Sequence, residues 1–336
     1  MPATQFDWSG RPVLVTGAGG FIGSHLVAAL VGQGAVVRAL VRYNSLGTYG
    51  WLHDLPSDVL RQVDVMQGDL RDADSILRAV HGQECVFHLG AVISIPYSYV
   101  NPSEVAAVNI SGTLNVLNAC RAADVRRLVH TSTSEVYGTA QYVPIDESHP
   151  LQGQSPYSAS KIAADKLVES YWRTFDLPAV TVRPFNTYGP RQSARAVIPN
   201  IIAQILAGST VTLGTLTTTR DFTYVDDTVA GFIRAAEAAD VAGLTVNLGT
   251  NTEVTIGEVA ATIARITGRP LDIVSDERRI RPGKSEVRQL RSENALAKSA
   301  FGWEPKVPLE EGLARTIAWF ESHLDLYHRA RGGYVI

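Results

Sequence analysis

Apolar residues recur through the first half of the chain in short, nearly continuous runs: Pro12 to Thr16, Val36 to Val41, Val63 to Gln67, Cys85 to Leu89, Arg127 to Thr131 and Ala179 to Arg183. Runs without polar alternation are the mark of strands buried on both faces, as in a parallel sheet covered by helices on each side. The spacers carry the matching signal. Apolar positions fall at helical spacing over 22–33 and 104–123, and an Ala/Lys/Leu-rich stretch over 156–175 follows Ser155-Pro156. The pattern predicts an α/β fold, a doubly wound parallel sheet.

After Gly189-Pro190 the pattern changes. Helices are expected near 197–207 and 256–267, short strands near 210–213 and 271–274, and a basic loop around 278–288. Residues 1–185 should form the large domain, with 222–248 returning to it, while 186–221 and 249–336 build a smaller interleaved α/β lobe for substrate.

The chain of 336 residues is long enough to bury such a core, and 45% hydrophobic with 19% charged residues excludes a disordered or fibrous protein. A formal net charge of -3 offers no general attraction to nucleic acid or to an anionic membrane, so any anion must be held by individual basic groups. Cys85 and Cys120 are too few for a disulfide framework and too far apart for a metal pair. No metal-ligand spacing is visible. With no leader-like segment before the first strand and no apolar run of bilayer length, a cytoplasmic protein is expected.

The first strand runs directly into Gly17-Ala18-Gly19-Gly20-Phe21-Ile22-Gly23 and then a helix. Gly17, Gly20 and Gly23 suit a tight turn, close approach of a pyrophosphate and close packing of helix on strand, with the N–H groups of the helix start facing the phosphates. A dinucleotide is expected there. At the end of the second strand, where an acid would accept the ribose 2′-hydroxyl of NAD, stands Val41, followed by Arg42, whose guanidinium suits a 2′-phosphate. NADP is therefore favoured over NAD. Asp69 and Leu70, after the third strand, are candidates for the adenine edge, with helix capping the rival role for Asp69.

Tyr157 and Lys161 lie four residues apart, on one face of a helix. A phenol, with a pKa of about 10, is a poor base near neutral pH until a cation stabilises its phenolate. Tyr157 is thus the candidate base and Lys161 its activator. Thr133, Ser134 and Glu135 close the preceding strand, and His88 and His130, set in apolar strands, read as core histidines.

GAGGFIG at 17–23, HTSTSEVYG at 130–138, YSASK at 157–161, RPFNTYGPR at 183–191 and RDFTYVDD at 220–227 follow one another over nearly the whole chain. In these motifs the chain resembles the extended short-chain dehydrogenase/reductases, in the branch of nucleotide-sugar epimerases and dehydratases. The resemblance implies a Rossmann domain, a nucleotide-sugar substrate and a homodimer packed through two helices. It also implies that Tyr157 takes the proton of the sugar 4-hydroxyl, that Thr133 orients this oxygen, and that the C4 hydride passes to the nicotinamide.

Within the branch, a glutamate at the position of Glu135 belongs to enzymes that remove the C5 proton. Ser134 with Glu135 is similar to the Ser-Glu pair of GDP-mannose 4,6-dehydratases and UDP-glucuronate decarboxylases, and departs from the Asp-Glu pair of dTDP-glucose 4,6-dehydratases. The implied activity is a 4,6-dehydratase yielding a 4-keto-6-deoxy sugar nucleotide. A 4-epimerase, a UDP-glucuronate decarboxylase and a dinucleotide-binding sensor without turnover are the alternatives. LVRYNS at 40–45, AVISIPYSY at 91–99 and RIRPGKSEV at 279–287 resemble bacterial 4,6-dehydratases that act on NDP-N-acetylglucosamine in the pathway to legionaminic acid. On the substrate side the resemblance, and the need of a diphosphate for donors, point to Ser94, Tyr97, Asn109, Ser134, Asn186, Arg191, Arg220 and Arg281.

Overall fold

The computed structural model describes residues 7–279 and 282–327, so Arg281 lies outside the described residues. The six apolar runs form β1 (Pro12–Thr16), β2 (Val36–Arg42), β3 (Asp64–Gly68), β4 (Cys85–His88), β5 (Arg127–Thr131) and β6 (Ala179–Pro184). With Thr245–Leu248 they make one parallel sheet of seven strands, in the order Thr245–Leu248, β6, β5, β4, β1, β2, β3. The order reverses between β1 and β4. That reversal opens a crevice at the carboxyl ends of these two strands, the place where doubly wound sheets take their ligands.

Alternate side chains of β1 serve two cores, because successive residues of a strand face opposite sides. Val13 and Val15 pack with Leu26, Val27 and Leu30 of α1 (Phe21–Gly32) and with Phe232 and Ile233 of the helix Val225–Glu237. Leu14 turns the other way, to Ile76, Val116, Leu117, Val168 and Tyr171 on the helices Ala73–Val80, Gly112–Ala122 and Pro156–Phe175. Each such fully buried aliphatic side chain contributes about 1.5–3 kcal/mol, so the absence of polar alternation follows from burial on both faces.

The predicted helix over 104–123 is interrupted. Pro102–Ala106 and Gly112–Ala122 are joined by a π-helical turn, Ala107–Ser111, whose extra residue a periodicity of 3.6 does not reveal. The helix Pro156–Phe175 starts sharply: Ser155 and Ser158 form a reciprocal capping box and Pro156 occupies the first turn, which fixes Tyr157 at the helix entrance. In the second half, the strand Phe222–Tyr224 pairs with Asn186–Tyr188, and Thr210–Leu213 with Asp272–Ser275. Both cysteines are buried and free. Among the described residues no helix is long and apolar enough to cross a membrane, and no group of three or more His, Cys, Asp or Glu could hold a metal ion.

Candidate active site

The glycine loop sits at the crevice. Gly17 has φ +68°, and a Cβ on it would come within 2.8 Å of the Gly90 backbone, so no other residue fits this contact between the ends of β1 and β4. A Cβ on Gly23 would lie 2.3 Å from the Gly17 carbonyl oxygen, which explains the close seating of α1. The helix opens on Gly20 with no side-chain cap and no acid in its first turn. Its first backbone bond runs from Ser24 N to Gly20 O (3.0 Å), leaving the N–H groups of Phe21, Ile22 and Gly23 without a helical partner. This donor set fits a pyrophosphate. Sequence reasoning missed one wall of the loop: Trp51 N donates to Gly19 O at 2.9 Å, which brings residues 49–51 against it.

At the end of β2 the Arg42 side chain is 68% exposed and lies 3.7 Å from Glu104. Asp69 does not cap the helix that follows it. Its carboxylate accepts from Arg71 Nη2 (2.6 Å) and Nε (3.0 Å), and this pairing holds it down to about 2, while Asp72 caps the helix Ala73–Val80 instead. Leu70 packs against Gly90 and Gly112, and its carbonyl accepts from Asn115 Nδ2 at 2.8 Å.

Thr133, Glu135 and Tyr157 converge. Thr133 precedes the short 3-10 turn Ser134–Tyr137, and its hydroxyl oxygen accepts from Glu135 N at 3.2 Å. The same hydroxyl is near enough to the phenol of Tyr157 to favour its phenolate, and the Glu135 carboxylate near enough to disfavour it. Lys161, one turn along, donates from Nζ to the Thr131 carbonyl at 2.7 Å. Burial pulls its amine down to about 8, against the opposing pull of Asp165.

Burial dominates the surroundings of the phenol. Tyr157 is only 7% exposed, and burial pushes its phenol well above the ordinary range, with Glu135 and Asp165 adding to the rise and only the Thr133 hydroxyl working against it. Desolvation is the largest of these influences.

Asp165 was missed from the sequence, although it follows Lys161 by four residues and Tyr157 by eight on the same helical face. It is 5% exposed and accepts from Ser132 Oγ (2.8 Å), His130 Nε2 (3.2 Å) and Arg183 Nη2 (3.0 Å) and Nε (3.2 Å). Arg183 passes the network on, donating from Nη1 to the Tyr137 hydroxyl (2.9 Å), which donates to Asn247 Oδ1 (2.7 Å). Burial works against the Asp165 carboxylate, but the His130 bond and the Arg183 and Lys161 charges prevail and hold its pKa below the ordinary value. Asp165→Asn strips a buried guanidinium of its ion-pair partner and should destabilise the fold by about 3 kcal/mol or more. Urea denaturation checks this, and an unchanged midpoint rejects it.

The expected substrate residues divide. Ser94 caps the helix Ile95–Val100, and the Tyr97 phenol donates to Glu104. Asn109 is 1% exposed and faces inward, its amide spent on Val92 N (2.8 Å), Val92 O (3.0 Å) and Ser160 Oγ (3.0 Å), so the expectation of a ligand-facing Asn109 is corrected: the π turn aims it at the protein. Arg191, in a left-handed conformation, reaches Ser24 Oγ on α1 at 3.0 Å, and Arg220 lies 3.6 Å from Glu286. Ser134 is buried, and Asn186 has a buried Oδ1 with no partner among the described residues.

The family described as GDP-mannose 4,6 dehydratase matches residues 14–316. The chain is 37% identical to a UDP-glucose 4-epimerase of Mycolicibacterium smegmatis, over 92% of this chain and 98% of that protein. It is 32% identical to the dTDP-D-glucose 4,6-dehydratase of Mus musculus, over 98% and 95% of the two chains. Among solved structures it is similar to DesIV, a dTDP-glucose 4,6-dehydratase from Streptomyces venezuelae with NAD and TYD bound, at a TM-score of 0.85 and 30% identity, covering 96% of this chain and 100% of that one. Since the match runs from β1 into the last described helix, over a sheet of the same architecture, this chain belongs to the GDP-mannose 4,6 dehydratase family of extended short-chain dehydrogenase/reductases.

Proposed function

We propose that the chain is a nicotinamide-dependent nucleotide-sugar 4,6-dehydratase. The observation that carries this reading is Glu135, whose backbone N–H is held by the Thr133 hydroxyl and whose charge acts on the Tyr157 phenol. A 4-epimerase needs a base only at the 4-hydroxyl, whereas a dehydratase needs a second base for C5. A bound nicotinamide dinucleotide, held by the glycine loop and the start of α1, supplies a hydride store that is filled from C4 and emptied onto C6.

The protein supplies the proton chemistry. Tyr157, as phenolate, takes the proton of the sugar 4-hydroxyl while Thr133 holds that oxygen in place. The ketone at C4 makes the C5 hydrogen acidic; Glu135 removes it and protonates the departing C6 hydroxyl, which leaves as water. Residues 186–221 and 249–336 hold the sugar nucleotide, with Arg220 and Asn186 as donors to its diphosphate and sugar oxygens. Arg191, with one N–H on Ser24, keeps further donors for the same task.

Incubation with UDP-, GDP-, CDP- and dTDP-hexoses tests the reading. A 4-keto product, seen by its absorbance in alkali, supports it, and release of carbon dioxide from a UDP-hexuronate selects a decarboxylase instead. A C4 epimer as sole product selects the second reading, 4-epimerase, which the 37% identity to the mycobacterial enzyme favours.

The exposed guanidinium of Arg42 supports a preference for NADP, although the solved relative holds NAD. Arg42→Asp should weaken NADP binding by about tenfold or more and leave NAD within about threefold, since a charged hydrogen bond to a phosphate contributes about 1.5–3 kcal/mol. Equal losses for the two dinucleotides would discard the preference. A homodimer is proposed through 102–122 and 156–175, whose Ile110, Leu114, Ala163 and Leu167 are only half-buried in the single chain. Sedimentation giving the mass of one chain rejects it.

A further inference from the structure

His88, at the end of β4, is fully enclosed and lies outside the chemistry described above. Its hydrogen bonds define its tautomer. The Thr113 hydroxyl spends its proton on the Asn109 carbonyl (2.7 Å), so towards His88 Nε2, 3.0 Å away, it can only accept. Nε2 therefore carries the proton. On the other side, Thr16 Oγ1 accepts from Gly90 N at 3.0 Å, and its own proton points to His88 Nδ1 at 2.8 Å. The imidazole is neutral, as burial and the neighbouring His130 and Lys161 also require.

The donors all run one way. Gly90 N donates to Thr16, Thr16 to His88, His88 to Thr113 and Thr113 to the Asn109 carbonyl. From the same Asn109, Nδ2 donates to Ser160 Oγ (3.0 Å), and Ser160 donates to the Tyr157 carbonyl at 2.6 Å. One end is Thr16, the residue before Gly17 of the dinucleotide loop; the other is the backbone of the candidate base. The π turn at Ala107–Ser111 holds the Asn109 carbonyl and the Asn109 amide in two directions at once.

We infer that His88 is a positioning residue, which as a neutral imidazole couples the dinucleotide loop to the Tyr157 turn through Thr16, Thr113, Asn109 and Ser160. The inference rests on the reading of Tyr157 as the base. Imidazole is suited to the task because it presents an acceptor and a donor on opposite sides of one rigid ring. A side-chain amide presents the same pair, whereas an aliphatic side chain of similar bulk fills the space and joins nothing.

The test uses the full chain with NAD+ and NADP+ as probes. His88→Leu should weaken dinucleotide binding and lower kcat by about tenfold each, the range of ordinary coupling between sites. His88→Gln should keep both within about threefold of the parent. If the two variants are equally impaired, the ring acts by packing and the inference falls. Should the Leu variant fail to fold, Thr16→Val and Thr113→Val decide the matter. Their joint effect on dinucleotide affinity should differ from the product of the single effects by about fivefold, and simple multiplication overturns the coupling. This cycle needs no sugar nucleotide. A parent that binds dinucleotide and converts no sugar nucleotide would reject the dehydratase reading while leaving the cycle as a decision on His88.

Discussion

Tyr157→Phe should lower kcat by about 10³-fold and leave sugar-nucleotide affinity within about threefold of the parent. The Thr133 hydroxyl is the group that favours the phenolate, and the ring itself is enclosed, so removing the oxygen takes away the base and little of the packing. The size of the loss follows from how unfavourable the phenolate is in the protein alone. Burial, Glu135 and Asp165 all raise the phenol, so it reacts only when positive charge is gathered around it. Lys161 is one source of that charge, and its amine, drawn down to about 8, loses its proton as the pH rises through that value. The sign is therefore definite: the parent's kcat/KM should fall above about pH 8 although the phenol itself ionises more readily there. Steady-state rates across pH for parent and variant check both parts. A Phe variant retaining more than about a tenth of the parent rate would remove Tyr157 from the chemistry.

Glu135→Gln should separate oxidation at C4 from loss of water. A neutral amide cannot take the C5 proton, so product formation should drop by about 10²- to 10⁴-fold, the usual contribution of a positioned general base. Oxidation should survive. The Glu135 charge raises the neighbouring phenol, so replacing it with an amide makes the Tyr157 proton easier to remove, not harder. The expected result is a burst of reduced nicotinamide, seen by its near-ultraviolet absorbance, with no alkali-absorbing 4-keto-6-deoxy product. Normal product formation refutes the role of Glu135. Loss of the burst along with the product would mean that the carboxylate serves the first step too, and full retention of C4 epimerisation would select the epimerase reading.

Both variants leave the buried support intact, which makes them cleaner probes than changes at Asp165 or His88. Asp165 holds Arg183, His130 and Ser132 together behind the site, so its loss is read first as instability. Exposed Arg42 and half-buried Glu104 form a separate pair, where substitution tests the proposed preference for NADP.

Local pattern was enough to determine the six core strands, the glycine loop with its helix, and the Tyr157 and Lys161 pair on one face. Strands buried on two sides must be apolar throughout, a tight loop under a helix start must be glycine, and residues four apart on a helix must share a face. Each rule acts over a few residues. The edge strand Thr245–Leu248, the influence of Glu135 on Tyr157 and the reach of Arg191 to Ser24 depend on which strands lie side by side, and no local period encodes that order. Asp72 rather than Asp69 caps the helix because the helix begins at Ala73, beyond the reach of Asp69 as a cap. Only the tertiary structure decided the direction of the Tyr157 shift and the proton on His88, because both follow from burial and from partners such as Thr133, Glu135, Thr16 and Thr113 that are far away in sequence.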